Sequence, residues 1–453
     1  MFSRVLVANR GEIAVRVTRT LHRMGIEAVA VHSEPEADAV HVRAADASVC
    51  LGGGPVADSY LRADRVIEAA LSSGAQAVHP GYGLLAENPA FAEACAEAGL
   101  VFIGPPADAI RAMGSKIAAR ERMAAAGVPV VPGSLEPVRD LDQALADAAE
   151  IGYPIAVKAS GAGGGKGFRV ARAPGELQDA ITGASGEGER FFGDPTVYLE
   201  RYLDDPRHVE VQILADGHGE VVHLFERDCS IQRRHQKLVE ESPAPHVGAE
   251  TRERIGEIAV AAAKAAGYRS AGTVEGLLVA DEFYFLEMNT RIQVEHRVTE
   301  MITGIDIVEQ QVRIAAGEPL PFTQDDLEID GHAIECRINA ENAAKRFLPA
   351  PGTIGEYAEP RGEHVRVDSG VEAGSAVLPY YDPMLAKLVV WGPDREAATA
   401  RMLDALAGFR IEGVTTLLPF HRALLGTEQW RRAETCRDLI GDRDWLRSTA
   451  ADG

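Results

Sequence analysis

Residues 272–296, GTVEGLLVADEFYFLEMNTRIQVEH, decide how this chain is read. Residues 273–279 are mostly β-branched or aliphatic and 283–288 aromatic and aliphatic, so each predicts a strand. Ala280, Asp281 and Glu282 supply a three-residue hairpin loop. Folding the ribbon about Asp281 sets Val279 opposite Phe283, Leu277 opposite Phe285 and Glu275 opposite Glu287. Directly opposed Cβ atoms lie about 4.5–5.5 Å apart, where like charges repel. A hard divalent cation between the carboxylates removes that repulsion; Mg²⁺ takes oxygen ligands and commonly shares them with substrate phosphates. Two solvated acids on an exposed sheet face are the ordinary alternative. The residues that follow argue against it. Asn289, Arg291, Gln293 and Glu295 continue at every second position, separated by residues that include the apolar Ile292 and Val294. Period-two alternation puts that polar set on one side of an extended chain.

At 453 residues the chain is long enough for about three domains. Hydrophobic residues make up 46% and charged residues 25%, the balance of a soluble globular protein with an ample core. Lys and Arg number 46 against 68 Asp and Glu, a formal charge of −22. Nucleic acid or an anionic membrane would need a basic face, so neither is expected as a partner, although a local basic pocket for phosphate stays open. The opening MFSRVLVANRG enters a strand pattern without the apolar stretch of a signal peptide. No run has the length of a membrane helix. Cysteines 50, 95, 229, 336 and 436 are scattered with no CxxC, the pattern of reduced thiols in a cytoplasmic protein.

Strands at 4–8, 27–32, 75–79 and 100–103 alternate with helices at 12–24, 62–71 and 89–98, which predicts a parallel sheet with right-handed crossovers. Helices at 107–113 and 116–126 follow. The stretch 127–133, GVPVVPG, then breaks the pattern as a hinge. Residues 131–203 read as a small α/β unit. From 204 the chain is strand-rich, at 208–215, 220–226, the hairpin above, 331–339 and 365–367, with helices at 251–266 and 306–316. The tail, 394–447, is helical. The expected division is 1–114, a helical linker 115–130, 131–203 and 204–447.

The stretch 160–167, SGAGGGKG, separates strands at 155–159 and 168–171. Its glycines let backbone N–H groups ring an anion, with Lys158 and Lys166 on either flank. It is not a P-loop, because Gly167 stands where Ser or Thr is required. Nor is it a dinucleotide fingerprint, because no helix opens after it. A strand–loop–strand ribbon suits a flap that closes over a triphosphate; a plain hairpin tip is the alternative. Residues 200–203 can offer backbone groups to an adenine edge and the Glu200 carboxylate to a ribose. Residues 226–237, ERDCSIQRRHQK, read as a polar loop, either solvated or walling an anion pocket. Arg337 shares a strand face with Ala333, Glu335 and Asn339, and alone reads as a structural salt-bridge partner.

Together these residues resemble the ATP-grasp superfamily and, more closely, the biotin carboxylase family. The motifs are ANRGEIA at 8–14, HPGYG at 79–83, the glycine loop, 226–237, EMNTRIQVEH at 287–296, ECRIN at 335–339 and FLP at 347–349. The likeness runs from about residue 2 to about 447. It implies an ATP-grasp fold, α/β and α+β, with a Rossmann-like N-terminal domain, a mobile lid and a β-rich C-terminal domain.

The resemblance further implies that Lys116, Lys158, the loop glycines Gly163, Gly164 and Gly165, and His208 hold ATP phosphates. Glu200, Leu203, Gln232 and His235 would line the adenosine. Glu275, Glu287 and Asn289 would bind Mg²⁺ or Mn²⁺. Lys237, Arg291, Gln293 and the Val294 backbone would hold bicarbonate. Glu295 would be the general base, and Arg337 would stabilise a biotin enolate. The implied partners are a second copy in a homodimer, a biotin carrier protein or domain, and a carboxyltransferase subunit. Competing readings are another ATP-grasp ligase, such as a carboxyaminoimidazole ribonucleotide synthase relative, and a non-catalytic nucleotide-binding scaffold.

Four positions depart from the family pattern. Ala162 replaces a loop glycine, Lys166 stands where Arg or Lys occurs, Arg201 stands where many relatives have Lys, and Arg297 replaces a proline. Arg297 adjoins the base, so a guanidinium near Glu295 would lower its pKa. The alternative is that Arg297 points to solvent or to a distant carboxylate. The Met-Lys-Met of a biotinyl domain is missing, which suggests a separate carboxylase subunit or an excised module.

Overall fold

The computed structural model describes residues 1–134, 136–163 and 166–449, without the side chains at 116, 117, 161–163 and 166. Gly164 and Gly165 of the glycine loop, and the Lys116 and Lys166 side chains, therefore lie outside the described residues.

The deciding hairpin pairs Ser270–Val279 with Glu282–Asn289. Glu275 does face Glu287, but by a different route from the one expected. The turn holds only Ala280 and Asp281, because Val279 already pairs with Glu282. Ala280 takes a left-handed φ of 51°, as two-residue hairpin turns demand. The pairs Leu278–Phe283, Leu277–Tyr284 and Gly276–Phe285 are thus one residue out of the expected register. A bulge at Leu286 then takes up the extra residue and restores Glu275 to Glu287. Two one-residue differences cancel at the pair that carries the chemistry.

Near the N-terminus a five-stranded parallel sheet runs in the order Ala47–Gly52, Glu27–Ser33, Arg4–Val7, Ala77–His79, Val101–Phe102. Ala47–Gly52 was not expected as a strand; it is a mostly exposed edge and gives little apolar signal. The glycine-loop unit is a three-stranded antiparallel sheet, Lys166–Ala171, Ile155–Gly163, Val197–Arg201, with helices Leu141–Ile151 and Leu177–Phe192 against it.

An eight-stranded antiparallel sheet carries the rest. Its order is Glu282–Asn289, Ser270–Val279, Arg207–Ala215, Val221–Arg233, Gln236–Ser242, His332–Asn339, Met384–Gly392, Val365–Ser369. Alternation gives this sheet two unlike faces. Val209, Val211 and Ile213 pack against Ile255, Ala259 and Ala262 of helix Ala249–Ala265. Ile334, Cys336 and Ile338 pack with Leu388 against Met402 and Leu406 of helix Arg395–Gly408. Each fully buried aliphatic side chain contributes about 1.5–3 kcal/mol. Glu210, Gln212, Glu335, Arg337 and Lys387 occupy the intervening positions and turn to the other face.

Two expectations are corrected here. Residues 226–237 are not a loop but the tip of the hairpin Val221–Arg233/Gln236–Ser242, turning at Arg234 (φ 50°) and His235 (φ 66°). Their charged side chains hid the strand period because they are buried against one another rather than solvated. Met384–Gly392 was not anticipated. Its apolar run is buried on both faces, so it lacks alternation.

Candidate active site

The polar face of the large sheet and the glycine-loop unit enclose a cavity of about 1200 Å³. From the glycine-loop side it is lined by Lys158, Glu200 and Leu203, and from the strands by His208, Gln232, His235 and Lys237. Glu275, Glu287 and Asn289 line it from the deciding hairpin. Arg291, Gln293, Val294 and Glu295 come from the segment after it, and Arg337 from the strand beyond. The candidates from sequence whose side chains are described thus meet in one cavity. The extended ribbon, however, stops at Asn289. Residues 290–295 form an irregular turn, and Glu295 precedes helix His296–Thr303 at its N-cap position.

Lys237 is the hub. Its Nζ lies 2.8 Å from Glu275 and 2.7 Å from Glu295, and it also bonds Glu210. Glu275 accepts further bonds from Asn289 Nδ2 and Gln293 Nε2, each at 2.6 Å, and lies 2.7 Å from His208 Nε2. Burial opposes ionisation of Glu275, but Lys237 and His208 outweigh it and hold the carboxyl well below the usual range. Burial likewise opposes a charged His208, yet the adjacent Glu275 carboxylate raises its pKa above the ordinary imidazole value. His208, Glu210 and Glu275 lie close enough to share a metal ion, but Lys237 already bonds both glutamates. The Glu275–Glu287 side, with the Asn289 amide beside it, offers the hard oxygen donors that suit Mg²⁺.

Glu295 is gripped from two sides, by Lys237 and by Arg337 Nη2 at 2.9 Å. Burial works against its charge, but Lys237, Arg337 and Arg227 together hold it well below the ordinary carboxylate range. It is an ionised acceptor throughout neutral pH. Arg291 bonds Glu87 at 2.9 Å and Asn289 Oδ1 at 2.9 Å. At the other end of the cavity Lys158 pairs with Glu200, which also accepts from Arg120 at 2.6 Å. Gln232 spends an amide hydrogen on the Cys229 carbonyl at 2.7 Å.

Arg227 and Glu210 did not emerge as site residues from the sequence. Arg227 is wholly buried and donates to Glu210 (2.6 Å), Gln212 (2.7 Å), Gln293 (2.6 Å), Thr299 (3.0 Å) and Thr273 (3.2 Å). Glu210 shares a sheet face with His208, a period-two signal that was available. Arg227 had no such signal while its segment read as a loop. Lys387, in the unanticipated strand, donates to the Val294 carbonyl at 2.5 Å and so props the turn before the base.

Residues 1–110 match the biotin carboxylase N-terminal domain, 115–323 the carbamoyl-phosphate synthase L chain ATP-binding domain, and 335–442 the biotin carboxylase C-terminal domain. Biotin carboxylase 1 of Bacillus subtilis is 52% identical over 96% of this chain and 97% of its own. The chain belongs to the biotin carboxylase family. The biotin carboxylase of Haemophilus influenzae is 51% identical, over 96% of this chain and 97% of its own. Among solved structures, the biotin carboxylase domain dimer of Hydrogenobacter thermophilus 2-oxoglutarate carboxylase, with MgADP, ADP and bicarbonate, superposes with a TM-score of 0.91. It is 47% identical over 98% of this chain and 99% of its own.

Within this biotin carboxylase, Arg297 does not touch the base. It forks onto Asp368 (Nε 2.6 Å, Nη2 3.0 Å) and reaches Glu300 at 2.8 Å. Of the two readings of Arg297, the structure bears out the carboxylate away from the base and not the coupling to Glu295. Burial opposes the Asp368 charge, and Arg297 more than offsets it, holding Asp368 well below its usual range. Arg297 lies in the first turn of its helix, where proline fits, so Arg297→Pro removes the guanidinium without ending the helix. The expected cost is about 2–3 kcal/mol, below the ~3–5 for a fully buried pair because Arg19 stays near Asp368. Because the folded Asp368 pKa is depressed, the ion pair's contribution is complete above the unfolded value and is lost as pH falls through the folded one. The gap in melting temperature between the two proteins should therefore narrow in acid, with superimposable acidic limbs in their pH–rate profiles. A shifted limb would restore the coupling to Glu295.

Proposed function

We propose that the chain carboxylates biotin, presented on a carrier protein or domain, using ATP and bicarbonate by way of carboxyphosphate. The observation that carries this reading is the Lys237 hub, one ammonium joining Glu275 of the acidic hairpin to the base Glu295. Lys116, Lys158, His208 and the loop glycines Gly163, Gly164 and Gly165 hold the phosphates. Glu200, Leu203, Gln232 and His235 line the adenosine. Glu275, Glu287 and Asn289 fit Mg²⁺ or Mn²⁺, which when bound neutralises phosphate charge. Arg291, Gln293, the Val294 backbone and Lys237 hold bicarbonate.

Glu295 takes the bicarbonate proton as a bicarbonate oxygen attacks the γ-phosphorus and the bond to ADP breaks. Carboxyphosphate breaks down to CO₂ and phosphate, and the phosphate takes the proton from biotin N1′. Arg337 then opposes the charge of the biotin enolate while N1′ attacks CO₂. Bicarbonate arriving at Lys237 draws the ammonium off Glu295 and raises its proton affinity when a base is needed.

The Arg337–Glu295 contact favours this reading over a carboxyaminoimidazole ribonucleotide synthase-like ligase, which calls for the paired glutamates but not for this arginine. A passive nucleotide scaffold would not need an ionised carboxylate held between two cations. We assign the division into 1–114, 115–130, 131–203 and 204–447, the homodimer and the carboxyltransferase partner to the same reading. The five free cysteines, four of them buried, suit the cytoplasm. Among the described residues no helix is long and apolar enough to cross a membrane. The test is ADP release with free biotin and bicarbonate, omitting each in turn. Release should require ATP and bicarbonate and rise severalfold with biotin; release indifferent to both co-substrates would end the proposal.

A further inference from the structure

Behind Arg337, three buried carboxylate oxygens have no hydrogen-bond partner: Glu240 Oε2 and both oxygens of Glu335. The two glutamates are wholly inaccessible to solvent. They stand directly opposite each other where Gln236–Ser242 pairs with His332–Asn339, so both project from the same sheet face. Glu240 Oε1 is occupied, accepting from Arg337 Nε at 2.6 Å and lying 2.5 Å from its Nη2. Among the described residues no cation donates to Glu335. Lys387, on the neighbouring strand, gives a hydrogen to the Val294 carbonyl and lies 3.5 Å from Glu12 of the N-terminal helix. Asp368 faces Lys387 from the next strand. His296, in the helix packed over this face, is kept neutral first by burial and then by Lys387. Lys237 and Glu295 complete the charged surroundings of Glu240.

Two ionised carboxylates directly opposed and out of reach of water are strongly unfavourable. Their opposed Cβ atoms are about 4.5–5.5 Å apart, which puts the two side chains within reach of each other. We propose that Glu335 is protonated and donates to Glu240 Oε2, so that one proton joins the pair and leaves Glu240 a single anionic grip on Arg337. Burial acts in the required direction at Glu335, holding it well above the carboxylate range against Lys387. Burial also pushes Glu240 up, to about 7, and there Arg337 opposes it and favours the ionised form. Glu240 is then a positioning residue for Arg337, and Glu335 keeps a second charge from forming behind that guanidinium. Ionising Glu335 would draw Arg337 back from the cavity. This consequence rests on the reading of Arg337 as the group that meets biotin; the shared proton does not.

The test combines infrared spectroscopy with kinetics. The wild-type spectrum should contain a protonated-carboxyl C=O band at neutral pH that Glu335→Gln removes. Glu335→Gln keeps a donor in place and cannot ionise. Its biotin-dependent kcat at neutral pH should stay within about twofold of wild type, and its alkaline decline should move to higher pH. Glu335→Leu and Glu240→Gln should each lower that kcat at least about tenfold with the ATP KM unchanged. Lack of a band sensitive to Glu335→Gln would overturn the proposal, as would a Glu335→Gln enzyme as impaired as Glu335→Leu. Should Glu335→Leu fail to fold, the band and the Glu335→Gln profile decide. Were wild type to show no biotin-dependent ADP release, the functional reading would fall while the band still tested the pair.

Discussion

Glu295→Gln is expected to lower biotin-dependent turnover by about 10²–10⁴-fold, the range a positioned general base contributes, with ATP affinity unchanged. The substitution keeps the side chain's length and removes its charge. Lys237 retains Glu210 and Glu275, and Arg337 retains Glu240, so neither cation is stranded. What disappears is the one acceptor placed between them. An amide would turn its own NH₂ toward Lys237 or Arg337, or present a single oxygen to both. The loss should fall on kcat and kcat/KM for bicarbonate together, since the base acts in the transition state. A pH signature accompanies it. Lys237, Arg337 and Arg227 overcome burial and depress the folded Glu295 pKa, so its ionisation stabilises the protein above the unfolded carboxylate value. That contribution drains away as pH falls through the folded value, and the stability difference between wild type and variant should shrink with it. A loss appearing only as a higher ATP KM would make Glu295 a nucleotide-binding group instead.

Arg227→Met should destabilise the fold by about 3–5 kcal/mol, the cost of breaking a fully buried ion pair from one side. Arg227 makes five side-chain hydrogen bonds, to Glu210, Gln212, Gln293, Thr273 and Thr299. Methionine fills much of the volume and satisfies none of them. Glu210 would keep Lys237, with His208 3.9 Å away, and the buried Gln293 Oε1 would lose its donor. Denaturant unfolding measures this directly. Activity should fall as well, because Gln293 is oriented between Arg227 and Glu275. A variant within about 1 kcal/mol of wild type would mean that the network repairs itself and that Arg227 does not organise the site.

The hairpin's acidic pair was legible because strand pairing is local: an apolar run, a turn and a second run bring Glu275 to Glu287. Even so, the local reading placed the turn and the neighbouring pairs one residue off, since nothing in the sequence announced the Leu286 bulge. The alternating strand and helix pattern near the N-terminus was likewise readable, because burial on one side of each helix imposes a period. The hairpin at 226–237 was not. Its strand period is written in charged side chains whose partners lie on other strands, and buried ion pairs leave no apolar trace in a linear pattern.

By itself the sequence determined which residue types the site would contain, and through its long motifs the family they belong to. Composition and spacing are properties of the chain alone. The tertiary structure decided which charges meet. It turned Arg297 away from Glu295 and onto Asp368, some seventy positions along the chain. It set Lys237 among three carboxylates drawn from three different segments. It also placed Glu240 against Glu335 behind Arg337. Coulombic energy depends on distance and burial, and both are fixed only when strands far apart in sequence lie side by side in one sheet.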